Sequence, residues 1–253
     1  MTAAASRSSY FLITHLVLLV VVLLAFTPTF FLRSSIPQPP ILDMPALPGL
    51  FVVHGIILIV WYALLVLQPA LVRSGNIPMH RRTGLFGVFL ALAVLVSTVM
   101  MVHQFPGRMH AMSAERGIPV EELEPGLNMI LWLDLFMILL FVGFLSAGIV
   151  NRNRPQVHKR CMLFAAISLA FAAIGRLGGI VSDLLDMQIG MVLGLVFLLG
   201  ITASLLLHDR RTANRIHSTS WLCFATYWLA TMLSMVAGAI DEEERLSAFL
   251  MAL

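Results

Sequence analysis

Seven apolar runs of about 20 residues or more succeed one another between Tyr10 and Ile240, and they restrict the chain to one solvent. A bilayer core about 30 Å thick takes about 20 apolar residues per helix, at 1.5 Å of rise each. No water reaches that core to satisfy a free N–H or C=O, so each run has to be helical. The reading is an all-α polytopic membrane bundle, a single transmembrane domain over residues 1–253. Its spans fall at about 10–32, 49–72, 83–103, 127–150, 155–182, 187–208 and 219–240.

Composition agrees: 59% of residues are hydrophobic and 11% charged, against about 25% charged in soluble domains. Although sixteen basic residues outnumber thirteen acids, they are divided among short segments and make no stripe for a phosphate backbone, which excludes nucleic acid. The first run is longer than a signal-peptide core and no Ala-x-Ala follows it, so it is read as a retained helix, with His15 near its inner end. Pro37, Pro39, Pro40, Pro45 and Pro48 mark an extended connector after it. Gln104 to Gly126 reads as a polar loop with room for a short surface helix, and Asp241 to Leu253 as a short amphipathic helix. Cys161 and Cys223 read as free buried thiols.

The distribution of charge orients the bundle. Eleven cations lie with the N-terminus and the segments after the second, fourth and sixth spans, and five lie on the other side or within its half of a span. Asp209 is the one acid on the basic side. Positive charge stays inside, so the N-terminus is expected in the cytoplasm and the C-terminus outside.

Polar groups at membrane depth cost about 2.5–3.5 kcal/mol each on insertion scales, so they face protein and find partners. Asp134 and Arg176 lie at matching depth, about 10 Å below the outer interface, on antiparallel neighbours, which predicts an ion pair of structural or functional use. Counted outward from a basic turn at Met79 to Gly84, His54 and His103 come level on a helical hairpin. Level imidazoles could ligate one haem b or share a metal. Around His103, the group Met100, Met101, Met109, His110 and Met112 offers soft ligands, with copper as the alternative to haem; gap filling is the ordinary use of methionine. On the basic side two helix starts match one another, His80-Arg81-Arg82 and His158-Lys159-Arg160, read chiefly as anchors for anionic headgroups.

These residues carry a resemblance. His54, Gln68-Pro69, His80-Arg81-Arg82-x-Gly84 and Arg154-Pro155-x-x-His158-Lys159-Arg160-x-Met162 running on to Arg176 resemble a group of uncharacterised bacterial multi-pass membrane proteins, over about half the chain. The resemblance implies a bacterial inner-membrane protein, with His54, His80, His158 and Arg176 at the group's polar positions, and implies no reaction. The layout is also loosely similar to di-haem b-type membrane cytochromes, whose histidine pairing it does not reproduce.

Two functions stay open, with a third behind them. One is a redox or ligand-binding protein with haem or metal on His54 and His103 near the outer surface. Another is a non-catalytic accessory or assembly subunit, suggested by Gly175, Gly178, Gly179, Gly190 and Gly194, which would admit other membrane subunits. A small-solute transporter is the third. Retinal is excluded, since the only lysine, Lys159, begins a helix and no Schiff-base lysine lies in the seventh span. No phosphate-binding glycine loop or nucleophile motif is present.

Overall fold

The computed structural model describes residues 9–35, 48–123, 126–241 and 245–252. Arg7, the prolines at 37–45, Glu124, Pro125 and the acids at 242–244 lie outside the described residues. Seven helices are long and apolar enough to cross a membrane, as the apolar runs require. The elements are α1 (Tyr10–Phe26), α2 (Gly49–Ser74), α3 (Ile77–Arg116), α4 (Val120–Leu123), α5 (Leu127–Val150), α6 (Pro155–Leu184), α7 (Gly190–Ala213), α8 (Ser218–Ile240) and α9 (Arg245–Ala252). Among the described residues no strand occurs.

Helix α6 is the axis of the bundle and packs against α1, α5, α7 and α8. Leu163, Phe164, Ala165, Ala166, Ile167 and Ala170 along it are wholly buried. Its alanines and glycines explain this position, because small side chains let neighbouring backbones approach. Gly178 and Gly190 make the closest approach, where α6 turns into α7: a Cβ on Gly178 would strike the Gly190 carbonyl oxygen. The small residues at this corner are therefore used within the chain.

The α2–α3 hairpin differs from expectation. Gly75 adopts φ 83°, a left-handed C-cap, and Asn76 Oδ1 accepts from the Met79 N–H (3.2 Å), so the connection is Gly75-Asn76 alone. Pro78 fits the first turn of α3, where a missing N–H costs nothing. The basic turn expected at 79–84 is thus the first turns of α3. Residues equidistant from Gly75-Asn76 meet across the hairpin: Gln68 reaches Thr83, a Cβ on Gly87 would touch Leu64, and His54 bonds Ser97.

At its other end α3 runs on to Arg116, through Pro106 and Gly107, so residues 104–116 are helix where a loop was expected. Met109 and Met112 on this extension join Leu127 and Leu131 of α5 in a second, smaller core, against which Leu246 and Leu250 of α9 pack. The C-terminal helix that the sequence announces forms, and it docks on protein. α1 ends in a wider π-helical turn, Thr27–Phe31, closed by a Leu32 N–H to Thr27 C=O bond of 2.8 Å and containing Pro28.

Candidate functional site

Five helices meet around an enclosed cavity of about 90 Å³ in the half of the bundle away from the basic end. Val22 and Phe26 of α1, His54, Leu58 and Tyr62 of α2, Thr98 of α3, Asp134 and Met137 of α5, and Ser168 of α6 are among its walls. Most polar groups there are already engaged. Thr98 Oγ1 donates to the Val94 carbonyl (2.7 Å), Ser168 Oγ to that of Phe164 (2.9 Å) and Tyr62 Oη to that of Ala166 (2.9 Å). Hydroxyls that bond back to their own helix can sit in apolar surroundings at little cost.

His54 and Asp134 are different. Ser97 Oγ gives its hydrogen to the Val94 carbonyl (3.1 Å), so its contact with His54 Nδ1 (3.0 Å) makes Nδ1 the donor. The Nε2 lone pair is then the ring's acceptor. The Asp134 carboxyl is partly buried and makes no hydrogen bond or ion pair with any described residue. An ionised carboxylate so placed costs several kcal/mol unless it takes up a proton or holds a cation. A basic nitrogen and a carboxyl in one small cavity are equipped for that exchange.

The expected Asp134–Arg176 ion pair is not formed. Arg176 instead donates to Thr29 Oγ1 (3.0 Å) in the π turn and lies 4.9 Å over the Phe26 ring. Phe26 and Asp134 both line the cavity, and Arg176 is not among its lining residues. Among the described residues the ion pair that does form is Arg160–Asp209, at the basic end. Arg160 Nε also donates to Ser220 Oγ (2.7 Å) and Nη1 to Gln156 Oε1 (2.8 Å); Ser220 Oγ and the His217 N–H bond Asp209 (2.5 and 3.2 Å). Arg160, Asp209 and Ser220 are 5%, 1% and 0% exposed, so Arg160 is an internal tie between α6, α7 and α8, not a headgroup anchor. Arg81 and Arg82 are exposed as expected of anchors.

His54 and His103 do not share a level. His54 meets Ser97, and His103 lies six residues further along α3, about 9 Å higher and on another face. Met100 and His103 are exposed, while Met109 and Met112 fill the second core and His110 Nε2 is buried without a hydrogen-bond partner. Among the described residues no three His, Cys, Asp or Glu side chains form a metal-sized group. A cavity of about 90 Å³ is also far below the roughly 300–1,000 Å³ of organic-ligand pockets, so haem does not fit it. The outer histidines stay apart while the inner ones converge: His80 and His158 have ring centroids 6.5 Å apart. His158 Nδ1 bonds the Gly148 carbonyl (2.8 Å), and the Gln68 amide fits with its NH₂ on His80 and its oxygen on Thr83 Oγ1 (2.9 Å) and the Gly84 N–H (3.1 Å).

Ser97 was missed by sequence reasoning, although its distance from Gly75-Asn76 equals that of His54. The Arg160–Asp209 tie was missed too, although a lone acid among cations was its signal. Cys161 and Cys223 are free and buried, in contact between α6 and α8. The fold is that of a helical bundle with seven helices able to cross a membrane among the described residues, and it holds a mainly apolar cavity into which a few polar groups reach. No protein-family model, curated protein or solved structure matches the chain.

Proposed function

We propose that this chain is a membrane protein that binds and exchanges a proton or a small cation at Asp134 and His54, as the binding step of transport. One observation carries the proposal: a carboxyl without a partner shares an enclosed, water-sized cavity with a histidine whose Nε2 is free to accept. The volume, about 90 Å³, suits a few waters or a small cation stripped of most of its hydration shell. The bias of cations toward the N-terminal side supports a cytoplasmic N-terminus, and the resemblance to bacterial multi-pass proteins supports an inner membrane. Of the glycines behind the accessory-subunit reading, Gly178 and Gly190 are used in a contact within the chain, while a Cβ on Gly175 or Gly179 would meet nothing within 4 Å.

The test is flux. Purified protein is reconstituted in vesicles with an internal pH dye, and an inward potential is imposed. Wild type is expected to speed proton entry, Asp134→Asn to return it to the rate of protein-free vesicles, and His54→Gln to lower it. Parallel vesicles carry Na⁺ or K⁺ indicators. Wild type and Asp134→Asn moving protons, Na⁺ and K⁺ at equal rates would overturn the proposal.

A further inference from the structure

A second feature lies on the lipid side of the bundle at the basic end. Helices α1 and α7 both lean on α6 but touch one another little, and an open groove of about 400 Å³ runs between them. Its walls are mainly apolar: Ile13 and Val17 of α1 face Phe197, Gly200 and Ile201 of α7. At its head Tyr10 Oη and Ser204 Oγ bond across it at 2.7 Å.

Gly200 lines this groove. A mid-helix glycine costs up to about 1 kcal/mol relative to alanine. Gly178 and Gly190 offset that by close backbone approach, but a Cβ on Gly200 would meet no atom within 4 Å. Its missing side chain leaves the groove open at that level.

Charge indicates what fills the groove. The Tyr10 ring stacks on His208 at 4.2 Å, His208 meets the edge of Phe11, and Lys159 Nζ lies 4.7 Å above the Phe11 ring. The head of the groove is therefore continuous with the only lysine in the chain. Its ammonium bonds no acceptor among the described residues. Asp209, the one acid at this end, is bonded to Arg160 and Ser220 and reaches the ammonium only as a charge through space. Arg210 and Arg211 stand exposed beyond His208. An apolar trough opening to lipid, with an ammonium at the headgroup level that bonds no acceptor among the described residues, matches a molecule with an acyl chain and a phosphate.

We propose that the α1–α7 groove binds one anionic phospholipid, with an acyl chain against Ile13, Val17 and Gly200 and the phosphate at Lys159. Lys159, read from the sequence as one of several general anchors, then belongs to a defined site.

Native mass spectrometry of the detergent-solubilised full chain tests this, with phosphatidylglycerol and phosphatidylcholine of the same acyl chains added in turn. One phosphatidylglycerol is expected to stay bound at concentrations where phosphatidylcholine does not. Lys159→Ala should weaken it about fivefold, the worth of one cation near an anionic surface, and Lys159→Arg should retain it. Gly200→Leu fills the groove without an internal clash, and it should expel the lipid while leaving the thermal midpoint in detergent no lower. Equal retention of the two lipids, or bound phosphatidylglycerol unaffected by both Lys159→Ala and Gly200→Leu, overturns the proposal. A dimer that Gly200→Leu dissociates would also overturn it, assigning the groove to a second copy.

Discussion

Removing the Arg160 guanidinium would leave the Asp209 carboxylate buried, with the Ser220 hydroxyl and the His217 N–H as its remaining donors. Breaking one side of a buried pair costs about 3–5 kcal/mol, so Arg160→Ala is expected to lower detergent-phase stability by that much. Arg81→Ala, at an exposed position, should change it by no more than about 0.5 kcal/mol. Denaturation monitored by tryptophan fluorescence would compare them, and equal losses would contradict the internal tie. His158, Lys159 and Arg160 also show how far single residues were legible. Consecutive residues on a helix are turned about 100° apart, so the three meet different partners: the Gly148 carbonyl, the Phe11 ring and Asp209. As a string they read as three surface cations, and the rotation that separates their partners is visible only with the neighbouring helices in place.

Between elements, glycine and a single carboxylate set two contacts that can be measured. Gly178→Ala forces a methyl group onto the Gly190 carbonyl, and overpacking of this kind costs about 1–3 kcal/mol. Gly143→Ala, where a Cβ meets nothing within 4 Å, should be neutral or slightly stabilising in the same thermal melt. At the far end Asp241 caps α9, accepting from the N–H groups of Arg245 (2.9 Å) and Leu246 (3.1 Å) and from Trp132 Nε1 (3.0 Å). Desolvation raises its carboxyl, but hydrogen bonds from Trp132, the two N–H groups and Asn128 outweigh it and hold the pKa below the ordinary aspartate value. A carboxyl depressed on folding contributes stability that is complete above its unfolded pKa and is lost as pH falls through the folded one. Protection of the amides of residues 245–252, taken relative to their intrinsic exchange rate at each pH, should therefore fall on acidification below about pH 4, and Asp241→Asn should be less protected near neutral pH and lose that step. The helix itself was legible from its apolar–polar alternation. Its docking on α3 and α5 was not, because an apolar face serves lipid and protein equally well.

Across the whole molecule, if all seven long apolar helices among the described residues cross, the two termini are expected on opposite sides of the membrane. A reporter that is active only outside should work when fused after Leu253 and fail when inserted at Asn214, in the α7–α8 connection; activity at both positions would refute the cytoplasmic assignment of the basic end. The sequence by itself determined that the chain is helical, how many helices can cross and which end is basic, because hydrocarbon thickness and backbone hydrogen bonding leave no other solution for such runs. It also brought His54 and Asp134 to notice as costly groups at depth. Tertiary structure alone decided which of these residues meet. A turn of two residues in place of a longer one gave His54 to Ser97 instead of His103, and the packing around α6 gave Arg160 an acidic partner in Asp209. Lipid tails are as apolar as leucine, so in these spans hydropathy does not mark which face turns inward, and that rotation is fixed by helix against helix.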